Sequence, residues 1–201
     1  MERALFEAHV ASLAPTLEDI RQAAWDLHTS VGETYDEGLP YGHHLSMVAD
    51  EALRWGHLVA VSTDDILPIL FAAYYHDSIE DARLSYNDVT KKAKEYMTEK
   101  QAFMAAEIVY ALTNEKGRTR AERAGERYLQ GIRQTPYAPF LKLCDRLANM
   151  TYSSRGTNAS NLHMQEVYAR EWAHLLEAID AHSDDARLNI PEEMKVSHKT
   201  V

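Results

Sequence analysis

Four ionisable side chains, His76, Asp77, Glu80 and Asp81, fall within one short stretch that directly follows the apolar run Ile66 to Tyr75. If helical geometry continues there, His76 stands over Glu80 and Asp77 over Asp81, since residues four apart share a face. Burying such groups is costly without a cation or a hydrogen-bond network. An isolated His-Asp pair is more often a polar turn that ends a helix, so further sites decide the matter. Asp145 sits in the strongly apolar segment Leu141 to Asn149, with Asn149 one turn later on the same side. His44 opens another helical segment after Pro40 and Tyr41, and by composition alone its neighbour His43 would serve equally well. Ligands supplied by three different helices are a common way to build a site inside a helical bundle. Two imidazoles and two carboxylates suit manganese, iron(II) or zinc, and the carboxylates balance a 2+ ion.

The three segments read Pro40-Tyr41-x-x-His44, His76-Asp77-x-x-Glu80-Asp81 and Lys142-Leu143-x-Asp145-Arg146-Leu147-x-Asn149. In order and spacing this pattern resembles the HD-domain hydrolases of the alarmone (p)ppGpp, over roughly residues 20–152. Those include the hydrolase half of the RelA/SpoT proteins and the small alarmone hydrolases. Ala111-Leu112-Thr113-Asn114 also resembles the stretch that follows the long middle helix of that family. The resemblance selects His44 over His43. It implies His44, His76, Asp77 and Asp145 as ligands of one divalent metal, usually Mn²⁺, with Fe²⁺ or Zn²⁺ as alternatives. It further implies Glu80 and Asp81 as the catalytic acidic pair and Tyr41, Lys142 and Asn149 as substrate-binding residues. The implied reaction is hydrolysis of the 3′-pyrophosphate ester with release of pyrophosphate. That family carries an Arg-Lys pair before the Pro-Tyr motif, whereas His28 to Glu37 holds no Arg or Lys, and Leu45 replaces a family proline. The missing pair favours a second reading, an HD phosphohydrolase of other nucleotides such as a nucleotidase or nucleotide pyrophosphatase. A third reading, of another class, is a non-catalytic metal-stabilised regulatory module, but a purely structural metal needs neither Glu80 nor Asp81.

The elements that position these residues read as helices throughout. Leu17, Ile20, Ala24 and Leu27 recur at three- and four-residue steps after Thr16, a candidate N-cap. Leu45, Val48, Ala49 and Ala52 make a second stripe, and Ile66 to Tyr75 is apolar nearly all round and therefore central. Ser85 with Asp88, and Thr98 with Gln101, are capping-box patterns. A charged helix running to about Arg133, a helix carrying Phe140 to Met150, and a last helix over about 161–181 complete the series. The expected fold is all-α, a single HD-domain bundle over 1–201 with its metal site in the interior. Its motif-bearing core spans about 16–155, and residues 182–201 form a polar tail that packs loosely or frays.

Composition sets outer limits. A chain of 201 residues with 45% hydrophobic content can bury a proper core, and its 8 Gly and 6 Pro leave little punctuation for many short strands. The formal net charge of −10 argues against a broad nucleic-acid surface. It is compatible with a small nucleotide substrate, since a metal and a few local cations set a pocket's charge. Lys116, Arg118, Arg120, Arg123, Arg127 and Arg133 interleave with Glu115, Glu122 and Glu126, which reads as a solvated helix face. The single cysteine, Cys144, lies in an apolar pattern and reads as a buried small hydrophobe. With no disulfide, no secretory signal pattern and no membrane-length apolar run, the expectation is a cytoplasmic protein without membrane or nucleic-acid partners. Self-association is left open.

Overall fold

The computed structural model describes residues 1–36, 38–115 and 118–196, without the side chains of Arg120 and Ala121. The chain is all-α apart from one two-stranded ribbon. The helices are α1 (Arg3–Ser12), α2 (Ala14–Ser30), α3 (Gly42–Trp55), α4 (Ile66–Tyr75), α5 (Tyr86–Ala93), α6 (Glu99–Leu112), α7 (Arg120–Arg123), α8 (Glu126–Gln134), α9 (Ala138–Arg155), α10 (Ala159–Ile179) and α11 (Glu192–Lys195). The antiparallel ribbon pairs β1 (Thr34–Tyr35) with β2 (Leu39–Pro40), between α2 and α3.

All ten residues of α4 are buried, as its all-round apolarity requires, and α2, α3, α6 and α9 pack around it. Pro68 is harmless because it falls in the first turn, where no helical partner exists for its missing N–H. Ser62 and Asp65 form a capping box over the 3-10 turn that leads into α4. The same Asp65 accepts a 2.8 Å hydrogen bond from the Tyr137 hydroxyl at the start of α9. Tyr137 adopts a left-handed backbone (φ 70°) there. Two helices that carry site residues are thereby joined at their N-termini. The capping boxes at Ser85 and Thr98 form with both reciprocal hydrogen bonds.

The structure departs from the sequence reading in four places. Thr16 is no cap: α2 begins at Ala14 with Pro15 in its first turn, and an additional helix, α1, precedes it. The charged segment breaks into α7 and α8, with Gly125 in extended backbone between them. The last long helix spans Ala159–Ile179 rather than about 161–181, because the Asn158 side chain caps it by accepting from the Asn161 N–H. The tail does not fray over its described part. Ile190 and Met194 are buried in the core, and Lys195 pairs with the buried Asp180 at 2.8 Å. Backbone hydrogen bonds from Tyr137 N–H to Arg187 C=O and from Ala181 N–H to Leu188 C=O add to the docking. No described helix is long and apolar enough to cross a membrane. Cys144 is fully buried, as expected, and Trp172 belongs to the core.

The start of α3 depends on a close approach. A Cβ at Gly42 would lie 2.1 Å from the Trp25 ring of α2. Alanine in a helix interior normally gains about 0.5–1 kcal/mol over glycine, but forcing apart a packed ring costs about 1–3 kcal/mol. Gly42→Ala is therefore expected to destabilise the protein by up to about 2.5 kcal/mol on these figures, read as a lowered urea midpoint. An unchanged midpoint would mean that Trp25 swings aside freely.

Candidate metal centre

His44 comes from the first turn of α3, His76 and Asp77 from the C-terminal end of α4, and Asp145 from the middle of α9. The turn after α4 keeps one helical hydrogen bond, Asp81 N–H to Asp77 C=O at 2.8 Å, so Asp81 follows Asp77 by one turn. Side-chain atoms of all four residues converge. His44 Nε2 lies 3.2 Å from His76 Nε2, 3.5 Å from Asp77 Oδ2 and 3.4 Å from Asp145 Oδ1. His76 Nε2 lies 2.8 Å from Asp77 Oδ2. One ligand atom from each of His44, His76 and Asp145 lies within 4.8 Å of the other two. Both histidines are buried. His43 is exposed and takes no part.

The donor set fits a cation. His76 Nδ1 lies 2.9 Å from the Ala73 carbonyl, so that nitrogen carries a proton and Nε2 is the one left to meet a cation when the ring is neutral. Two ring nitrogens and two carboxylates facing one point then lack a shared positive partner. Around them, Tyr41 donates to Asp77 Oδ2 at 2.6 Å, Lys142 to Asp145 Oδ2 at 2.9 Å, and Asn149 to Asp145 Oδ1 at 2.6 Å. These bonds orient the carboxylates, as outer partners of a metal ligand do.

Without a metal the cluster compensates with protons. Burial acts to raise the Asp77 pKa, but His76 and His44 together hold it well below the usual carboxylate range. Asp145 is held low against burial by Lys142 and the same histidines. Burial acts to lower the pKa of His44, yet Asp145 and Asp77 hold it up at about 9. Burial is also the largest influence on Asp81, followed by the Asp77 charge, and its carboxyl rises to about 6.

The centre opens onto a cavity of about 680 Å³. Tyr41, Glu80, Asp81, Lys142 and Asn149, all expected at the site, line this cavity with three of the four cluster residues. Glu80 does not stand free in it. Its carboxylate accepts from the Asn114 side chain at 2.9 and 3.1 Å and from the Asn114 N–H at 3.3 Å. Asn149 uses its amide internally, donating to Asp145 and accepting from the Tyr35 hydroxyl at 2.8 Å.

Arg146 stood in the third motif without an assigned role, and the lining residues of α10 had no sequence signal. Arg146 pairs with Glu171 at 3.0 Å and lies over the Tyr168 ring at 4.6 Å. Tyr168, Glu171, Leu175 and Ala178 recur at three- and four-residue steps along α10, a pattern that any packed helix face shares. Of the interleaved charges, Arg127 meets Glu115 and Arg133 meets Glu126, while Arg123 turns to the cavity. Lys116 lies outside the described residues. No family model matches the chain, and no curated protein matches it.

A divalent ion needs His44 neutral, so binding must release a proton where that ring is charged. The raised His44 pKa stabilises the metal-free fold fully below about 6.5, its unfolded value, and that stability is lost as pH rises through about 9. Apparent metal affinity is accordingly expected to increase from pH 6.5 toward 9 while metal-free thermal stability declines. Calorimetric titration and thermal melts across that range check this. A pH-independent affinity would sink the ligand role of His44.

Proposed function

We propose that the chain is an HD-type, metal-dependent phosphohydrolase that cleaves a phosphoester or pyrophosphate ester of a nucleotide. The first candidate substrate is (p)ppGpp, hydrolysed at its 3′-pyrophosphate to release pyrophosphate. The observation that carries this reading is the convergence of two buried imidazoles and two carboxylates beside a nucleotide-sized cavity. The resemblance of the three motifs supplies the reaction class.

His44, His76, Asp77 and Asp145 would hold a divalent ion, which when bound would supply Lewis-acid stabilisation of charge on a phosphoryl group and acidify water. Both acids line the cavity, but Asp81 is the better proton acceptor, because burial raises its proton affinity whereas Asn114 engages Glu80. Glu80 in turn fixes Asn114 at the cavity rim. Arg146 and Arg123 give the wall donors for further phosphate oxygens. Lys142 holds Asp145 ionised and in place.

A second reading, hydrolysis of another nucleotide, is favoured by one observation. The ribbon side of the centre presents Tyr35 and Tyr41 and no cation from β1 or β2. Each missing charge-assisted hydrogen bond costs roughly 1.5–3 kcal/mol, about ten- to hundredfold in affinity. Incubation with Mn²⁺ and ppGpp, followed by ion-exchange chromatography, is expected to give GDP and pyrophosphate. Rapid release from a nucleoside mono- or triphosphate with none from ppGpp would install the second reading.

The roles of the acidic pair separate by mutation. Asp81→Asn is expected to keep the metal and lower turnover by about a hundredfold or more. Glu80→Gln is expected to cost less, since an amide oxygen still accepts from Asn114. The reverse ranking, measured at equal metal content, would exchange the two assignments.

A further inference from the structure

His44 lacks a support that His76 has. His76 Nδ1 is fixed by the Ala73 carbonyl, but His44 Nδ1 is buried with no hydrogen-bond partner among the described residues. A metal-binding ring is normally oriented by a hydrogen bond to its second nitrogen. What orients His44 is an aromatic ring: Tyr35 stacks on it with centroids 5.0 Å apart and planes 14° apart. The hydroxyl of the same Tyr35 donates to Asn149 Oδ1 at 2.8 Å, and Asn149 Nδ2 donates to Asp145 Oδ1 at 2.6 Å. One side chain thus controls a ring on α3 and a carboxylate on α9.

A two-stranded ribbon of this length cannot hold Tyr35 in place by itself. Asp36 anchors it from outside. Its backbone is left-handed (φ 46°), and its Oδ2 accepts from the Tyr152 hydroxyl of α9 at 2.9 Å and from Asn161 Nδ2 of α10 at 3.0 Å. The Tyr152 ring also meets Tyr35 edge-on, with centroids 4.8 Å apart.

We infer that Tyr35, anchored through Asp36, is a positioning residue of the metal centre: it sets the His44 ring plane by stacking and aims Asp145 Oδ1 through Asn149. This rests on the reading of the cluster as a divalent-metal site. The stack replaces the hydrogen bond that His44 Nδ1 lacks, and the hydroxyl relay fixes which Asp145 oxygen faces the imidazoles. Asn149 accordingly acts through Asp145.

The test is Mn²⁺ affinity by calorimetric titration, well below the melting temperature and without substrate. Tyr35→Phe, which keeps the ring and removes the hydroxyl, is expected to loosen Mn²⁺ about tenfold, and Tyr35→Leu about ten- to hundredfold. Asp36→Ala should weaken binding in the same direction although it touches no ligand. The double variant Tyr35→Phe/Asn149→Ala should bind no more weakly than Asn149→Ala alone, because both changes cut one relay. A merely structural Tyr35 would lower the melting temperature and leave Mn²⁺ affinity within about twofold of wild type, which would overturn the inference. Fully additive losses in the double variant would overturn the relay. Wild-type protein that takes up no divalent ion would overturn the metal reading itself, and the clamp with it.

Discussion

Two buried imidazoles and two half-buried carboxylates meet between three helical segments, with His44 Nε2 within about 3.5 Å of the other three groups. An uncompensated buried charge is far more costly than any single packing contact. The three helices that supply these groups must therefore be held in fixed register, or the cluster becomes a liability. The fold supplies that register at its ends. Ser62 and Asp65 close the entry to α4, Tyr137 bonds Asp65 from the entry to α9, and Gly42 lets α3 lie against Trp25. All ten residues of α4 being buried leaves that helix no freedom to slide.

The same constraint shapes the electrostatics of a chain whose formal net charge is −10. Within the cavity, cations sit beside acids: Lys142 on Asp145, Arg146 on Glu171. Each pair leaves a guanidinium or ammonium close to the space a phosphate would enter, at less desolvation cost than an isolated buried cation. Such a pocket offers a few oriented donors rather than a broad positive field, which is what the proposed reaction would use. The acids are graded as well. Asp77 and Asp145 are held ionised by their neighbours, while burial raises Asp81 into a range where it exchanges protons near neutrality.

Support for the centre is unequal on its two sides. His76 is fixed by its own helix through Ala73, a local contact three residues away. His44 relies on Tyr35, on a ribbon anchored by α9 and α10 through Asp36. The first arrangement forms with the helix. The second exists only once the far end of the chain has packed, so the α3 side of the centre depends on complete folding.

What the sequence by itself determined was whatever depends on neighbours a few residues apart. The all-α class, the burial of Ile66 to Tyr75 and the caps at Ser85 and Thr98 follow from periodicity and local hydrogen bonding. The grouping of His44, His76, Asp77 and Asp145 was implied by the resemblance of three motifs to a known family, not by local pattern. Tertiary structure decided what depends on contacts between distant segments. Tyr35 sat in a turn-rich gap with nothing to mark it until the ribbon folded over His44. Arg146 read as a motif letter until Glu171 and Tyr168 of α10 placed it in the cavity wall. Glu80 and Asp81 looked interchangeable in sequence; Asn114, thirty-four residues after Glu80, and the burial of Asp81 distinguish them. The polar tail looked loose because its composition is polar, yet Ile190 and Met194 find core to cover that no local pattern reveals. Periodicity is a property of one helix, whereas a site's support is set by which helices meet.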